Sequence, residues 1–278
     1  MPRPINIRGD EKETLVTSTT QSQLLGTRMI VQGGRVFRYA RAGASALAVA
    51  TLAKPGEPTT GYSNLSIAAR VEAGSLSLTA TLQYRATTLN QFADGFVYVN
   101  DADGEGQLYE VVENSATAKE GTLTIKVNTP LQVALTTSSQ VTLFPHRLSA
   151  LQRTNLATNE QAAGVVPVAV AANSYFWLQT YGPAVCLQEG GLKSDQAVAP
   201  SMKTKGAVAL ATTPIAVGTA NDDLAFGTGT AVVLDSEFNE REVQVQVLPG
   251  LVQNNAVGYA LDPRVSTEHC LIYLSLDN

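Results

Sequence analysis

Leu76, Leu78, Ala80 and Leu82 alternate with Ser75, Ser77, Thr79, Thr81 and Gln83. This period of two predicts a strand with one face buried. Leu123, Ile125 and Val127 repeat the pattern after a turn at Glu120-Gly121, and Pro130 ends that segment. Phe96, Tyr98 and Asn100 stand opposite Val97 and Val99; Asp101 to Gly106 then reads as a tight turn, and Leu108 to Val112 resumes the β pattern. Val133, Leu135, Val141 and Leu143 predict two further short strands. Val243, Val245 and Val247 alternate with Glu242, Gln244 and Gln246 in the second strong strand signal of the chain. Short alternating segments separated by Gly, Asn or Pro predict a sandwich or barrel.

The remaining segments extend this picture. Met29 and Val31, then Val36, Phe37 and Tyr39, flank Gly33-Gly34, which predicts a hairpin because glycine readily takes positive φ. Ala42 to Ala53 is alanine-rich, and its propensity favours a short helix over a strand. Val165 to Val170 opens a C-terminal block. Tyr175 to Thr180 is a strand that Gly182-Pro183 is expected to close, with another beginning at Ala184. Val208, Leu210, Ile215 and Val217 suggest short β elements, and Leu271 to Leu276 a last strand. The polar stretch from Leu148 to Gln161 has no clean period and is the expected boundary. The fold expected is all-β: two β-rich sandwich or barrel-like domains, residues 23–150 and 151–278, preceded by an extended, polar N-terminal arm, residues 1–22.

Composition narrows the function. Across 278 residues, 44% are apolar and 15% charged, well below the roughly 25% charge of ordinary globular chains. Charge-driven disorder requires the opposite balance. Nineteen Lys and Arg against 24 Asp and Glu give a net charge of -5, which argues against non-specific nucleic-acid binding. No apolar h-region opens the chain, and no run approaches the ~18 apolar residues of a spanning helix, so neither a cleaved signal nor a membrane span is expected.

Candidate chemistry is sparse. Asp101-Ala102-Asp103-Gly104-Glu105-Gly106 has alternate acidic residues of the kind that wrap Ca2+, but residue 112 is Val where an EF-hand requires Glu, so a hairpin turn is the better reading. Asp222-Asp223 and Asp262 form no persuasive acid–base pair. Cys186 sits in an apolar stretch and reads as a buried thiol. Cys270 adjoins His269, but strand neighbours point to opposite faces, which argues against a dyad. Gly227-Thr228-Gly229 lacks the lysine of a phosphate loop. No cofactor or metal is expected. Arg35, Arg38 and Arg41 make the one compact basic cluster, better suited to a protein partner than to nucleic acid. Tyr175, Phe176, Trp177 and Tyr181 concentrate aromatics on a strand with Tyr175 and Trp177 on one face and Phe176 on the other. That suits a central core strand, or one whose outer face meets a neighbouring subunit.

Two stretches resemble tailed-phage virion proteins encoded beside the major capsid protein: Leu25 to Arg28 with Gly34 to Leu47, and Tyr175 to Ala184, with a weaker echo at Val257 to Leu261. Val99 to Gly106 with Tyr109 looks like the central β block of the same group. The resemblance implies a non-enzymatic decoration or cement protein that stabilises the capsid surface. Its partners would be the major capsid protein and itself, as a homo-oligomer with trimers favoured, and it would need neither membrane nor nucleic acid. Arg35, Arg38, Arg41, Tyr175, Trp177 and Tyr181 are then the candidate capsid or subunit contacts. A tail, neck or baseplate component is the nearest alternative. A β-sandwich carbohydrate-binding or hydrolytic module is another, and an open groove exposing Trp177 and Tyr181 would favour it.

Overall fold

A computed structural model of the chain describes residues 6–56, 60–155, 161–211, 229–234, 240–245 and 256–277. The expectations at Ile215, Val217, Asp222, Asp223, Gly227, Thr228 and Val247 lie outside the described residues. All the strands found are β1 (Asn6–Arg8), β2 (Arg28–Ile30), β3 (Val36–Arg41) and β4 (Leu52–Lys54); β5 (Leu65–Ser66), β6 (Ser77–Thr81), β7 (Phe96–Asp101), β8 (Leu108–Asn114), β9 (Thr122–Val127) and β10 (Gln140–Phe144); then β11 (Gln152–Arg153), β12 (Gly164–Val165), β13 (Tyr175–Leu187), β14 (Ala197–Pro200), β15 (Val208–Leu210), β16 (Gly229–Leu234), β17 (Glu240–Val245), β18 (Gly258–Asp262) and β19 (His269–Ser275). One 3-10 turn, Glu13–Leu15, is the single helical element among the described residues. The protein is all-β.

Six consecutive strands, in the order β5-β10-β7-β8-β9-β6, curl into a nearly closed barrel. An Ile67–Ala80 bridge brings the two ends of this sheet together. Closure follows from the alternation. Leu78 and Ala80 of β6, Val97 and Val99 of β7, and Leu123, Ile125 and Val127 of β9 all point inward to one core. Burying each such large side chain contributes roughly 1.5–3 kcal/mol. Leu82 joins them just beyond β6, whereas Leu76, expected on the same face, precedes the strand and is exposed.

The larger sheet is open and has eleven strands among the described residues, with the main path β1-β2-β3-β13-β19-β18-β14-β15. Strands from both sides of the expected boundary at 148–161 build it together: β3 pairs with β13, and β4 with β11 and β12. The barrel is thus inserted between β4 and β11, and the chain returns to the larger sheet at Leu151 to Arg153. The hairpin at Gly33-Gly34 joins β2 to β3, and both glycines have positive φ. From Asn6 onward, the polar N-terminal segment is tied to this sheet at β1 and at Ser18. β1 adds a parallel edge strand to β2, and Ser18 exchanges backbone hydrogen bonds with Tyr175.

Two local expectations are corrected. Ala42 to Ala53 is not helical: it runs as irregular chain into β4, tied by bridges from Ala42 to Leu151 and from Leu47 to Val170. Its small side chains serve close packing, since Ala40, Ala42 and Ala53 are buried against Leu151, Phe176 and Leu178. Gly182-Pro183 does not close a strand either, because β13 runs unbroken for 13 residues. A register shift between Gln179 and Tyr181, with Gly182 at φ 87°, carries the strand from its pairing with β3 to its pairing with β19. Gln188 N–H donates to Glu268 O and Leu276 N–H to Thr180 O, so even-numbered β13 residues hold the hydrogen-bonded pairs. Pro183 faces Tyr273 at a non-hydrogen-bonded pair, where its missing N–H removes nothing from that ladder. The buried Gln179 amide donates to Tyr181 O and Pro183 O, which satisfies carbonyls at the bend.

Candidate functional site

The arginines diverge. Arg38 lies on the opposite face of β3 from Phe37 and Tyr39, and forms a bidentate pair with Asp277 at 2.7 Å from both Nε and Nη2. Its Nη1 donates to Gly26 O. Arg28, opposite Arg38 across β2–β3, approaches the same carboxylate at 3.8 Å. Burial alone would push the Asp277 carboxyl up, but the Arg38 hydrogen bonds and charge, with help from the Thr180 hydroxyl and Arg28, hold it below the usual aspartate value. Arg35 pairs with Glu11 and lies over the Phe37 ring. Arg41 donates to Asn173 O and sits 5.5 Å from the Tyr175 ring centre.

Tyr175 and Trp177 belong to an internal aromatic cluster. Tyr175 stacks on Tyr39, and Tyr39 meets Trp177 edge-on. Met29, Val31 and Phe37 complete the cluster, and Trp177 is 8% exposed. Trp177 therefore offers no open platform for a sugar ring. Phe176 and Leu178 fill the core on the other side of the strand, so β13 is apolar on both faces.

Tyr181 belongs to a different surface. Beyond the bend, Ala184, Cys186, Cys270, Ile272 and Leu274 point into a core, while Tyr181, Pro183, Val185, Leu271 and Tyr273 point outward. Tyr259 of β18 lies opposite Tyr273 and stacks on it with ring centres 5.2 Å apart; Tyr181 meets Tyr273 edge-on at 5.5 Å. The neighbouring Tyr181 raises the Tyr273 phenol above the ordinary value, with partial desolvation adding to the shift. Val185 is 52% exposed and Tyr259 38%. A row of tyrosines beside aliphatic residues thus covers the outer face of β13–β19–β18. Sequence reading reached Tyr181 alone. Tyr259 and Tyr273 join it only through pairing between distant strands, which no local pattern in the sequence announces.

A concave feature lies between the barrel and the larger sheet. This cleft of about 540 Å³ has Phe96, Leu148, Ala163, Val257 and Leu276 among its apolar lining, with Arg38, Asp277, Thr180, His146 and Arg147 as polar groups. His146 accepts a hydrogen bond from Leu148 N–H at Nδ1. Its burial lowers its pKa; Asp94 opposes that shift and Arg38 adds to it. Asp94, on the barrel side, accepts from Leu25 N–H and the Gln21 side-chain amide, tying the barrel to the segment before β2.

The remaining candidates are structural. Asp101 Oδ1 accepts from Ala102 N–H and Asp103 Oδ2 from the Thr136 hydroxyl, within a turn that has positive φ at Ala102, Gly104 and Gly106. Among the described residues, no three His, Cys, Asp or Glu side chains gather to hold a metal. Cys186 and Cys270 are direct partners across β13–β19. Both are buried free thiols, and burial pushes Cys270 up to about 11. His269 is exposed on the opposite face from Cys270, so the adjacent pair forms no dyad. Comparison with family models, with curated proteins and with solved structures found no match.

Proposed function

We propose that this chain is a non-enzymatic structural protein of a tailed-phage virion, a decoration protein that binds and stabilises the capsid shell. The observation that carries the reading is the outer face of β13–β19–β18, where Tyr181, Tyr273, Tyr259 and Val185 form an apolar, aromatic surface on the sheet. Tyrosine supplies large contact area with a polar tip and little conformational entropy, and contiguous exposed apolar surface marks interaction sites. The sequence resemblance at Gly34 to Leu47 and Tyr175 to Ala184 supports the same reading, because both stretches lie in β3 and β13 or their flanks at the centre of this sheet.

In this reading the two β-rich domains and the N-terminal arm, residues 1–22, form one self-associating unit, a trimer at local threefold positions of the shell. Repeated symmetric contacts then add avidity to modest single interfaces. The test is co-sedimentation with expanded empty shells of the major capsid protein encoded beside the chain. Saturable binding at a fixed ratio to shell subunits is expected. A chain left in the supernatant at every concentration would refute the assignment.

A further inference from the structure

The cleft between barrel and sheet is continuous with an apolar strip on the outside of the barrel. Phe96 lines the cleft and is itself 37% exposed. It lies opposite Phe144 of β10, and two residues along β7 the exposed Tyr98 lies opposite Leu108 of β8. Outward-facing residues on one strand are about 7 Å apart, the spacing between same-side residues of an extended peptide. The strip therefore matches an extended chain laid across the barrel with one side chain in the cleft.

Charge at the cleft selects the chemistry of that chain. Arg38 is committed, since Nε and Nη2 hold Asp277 and Nη1 holds Gly26 O. Arg147 is exposed at the rim and, among the described residues, donates to Gln161 Oε1 at 3.3 Å. The lining carries two guanidiniums against one carboxylate, Asp277, within a chain of net charge -5. On the strip, Glu110 lies opposite Phe96, where burial and Asp94 raise its carboxyl above the ordinary value. A second carboxylate is disfavoured there and favoured beside Arg147.

We propose that this cleft and strip receive an extended peptide segment of a partner protein, with a bulky apolar side chain in the cleft beside an acidic residue that pairs with Arg147. The proposal rests on the shell-binding reading and names the partner chemistry for a surface separate from the tyrosine face.

The experiment is a peptide array tiling the major capsid protein, probed with the labelled full-length chain and its variants. Binding is expected at spots that place Asp or Glu next to Leu, Ile, Met or Phe. It should fall at least tenfold in Arg147→Glu and in Phe96→Ser and persist in Tyr273→Asp. Unchanged melting temperatures would establish that the variants are folded. An array with no bound spots, bound spots without acidic residues, or equal binding by Arg147→Glu would overturn the proposal. Shell co-sedimentation by the unaltered chain separates the two claims: if it persists while the array is blank, the peptide site fails and the shell-binding reading stands.

Discussion

Arg38 and Asp277 are 239 positions apart in the chain and meet through two hydrogen bonds of 2.7 Å. The pair fastens the residues after β19 to β3, on the far side of the intervening β13. Asp277→Asn keeps the shape of the side chain and removes its charge. Hydrogen bonds to charged groups contribute about 1.5–3 kcal/mol each, and partial exposure of Arg38 reduces that here. A loss of about 1–2 kcal/mol at neutral pH is expected from denaturant unfolding. Because the folded-state carboxyl titrates below its unfolded value, its stabilisation is present above the ordinary aspartate range and disappears as pH falls through the folded pKa. Wild type and variant should therefore converge in strong acid, and a gap that stayed constant down to that range would contradict the role given to this pair.

His146 gives a second pH dependence of the opposite type. Its folded pKa lies below the ordinary value of 6.5, mainly through burial. As pH falls below 6.5 the unfolded chain binds a proton that the folded chain refuses, so stability declines by at most about 1.4 kcal/mol per pH unit until the folded pKa is reached. Above 6.5 the group contributes no pH dependence. His146→Gln retains an acceptor for Leu148 N–H and should flatten the slope between pH 6.5 and 5. Equal slopes in the two proteins would count against a buried neutral imidazole at this junction.

The bend in β13 is testable through Gly182. At φ 87° an L-residue is strained, and a Cβ there would stand 3.1 Å from Arg35 Cγ and 3.3 Å from Arg35 Cα. Gly182→Ala should cost about 1–2 kcal/mol, read as a lower denaturant midpoint with an unchanged slope. An unaltered midpoint would mean that the bend relaxes freely.

Much of the barrel was legible along the chain, because β6 and β9 each bury one face and their alternation states it directly. The path of β13 was not. Gly182-Pro183 has the local signature of a turn, and only the partners on either side, β3 and β19, with the Gln179 amide at the bend, keep the strand continuous. Ala42 to Ala53 misled for a related reason: helix propensity is worth tenths of a kcal/mol per residue, less than the burial of Ala42, Leu47, Leu52 and Ala53. The candidate surfaces were legible only in fragments. Arg35, Arg38 and Arg41 look like one cluster in sequence, yet the pleat sends Arg38 to one face and the other two toward Phe37 and Tyr175. Tyr181, Tyr259 and Tyr273 look unrelated and become neighbours through pairing across three strands.

We propose that the tyrosine face of β13–β19–β18 is buried against the shell. Hydroxyl-radical footprinting read by mass spectrometry, on the free protein and on protein bound to expanded shells, reports that face directly. Tyr259, Tyr273 and Val185 should lose most of their oxidation on binding, while the exposed Tyr84 of the barrel keeps its own. Equal oxidation of Tyr259 and Tyr273 in the free and shell-bound samples would show that this face does not meet the shell.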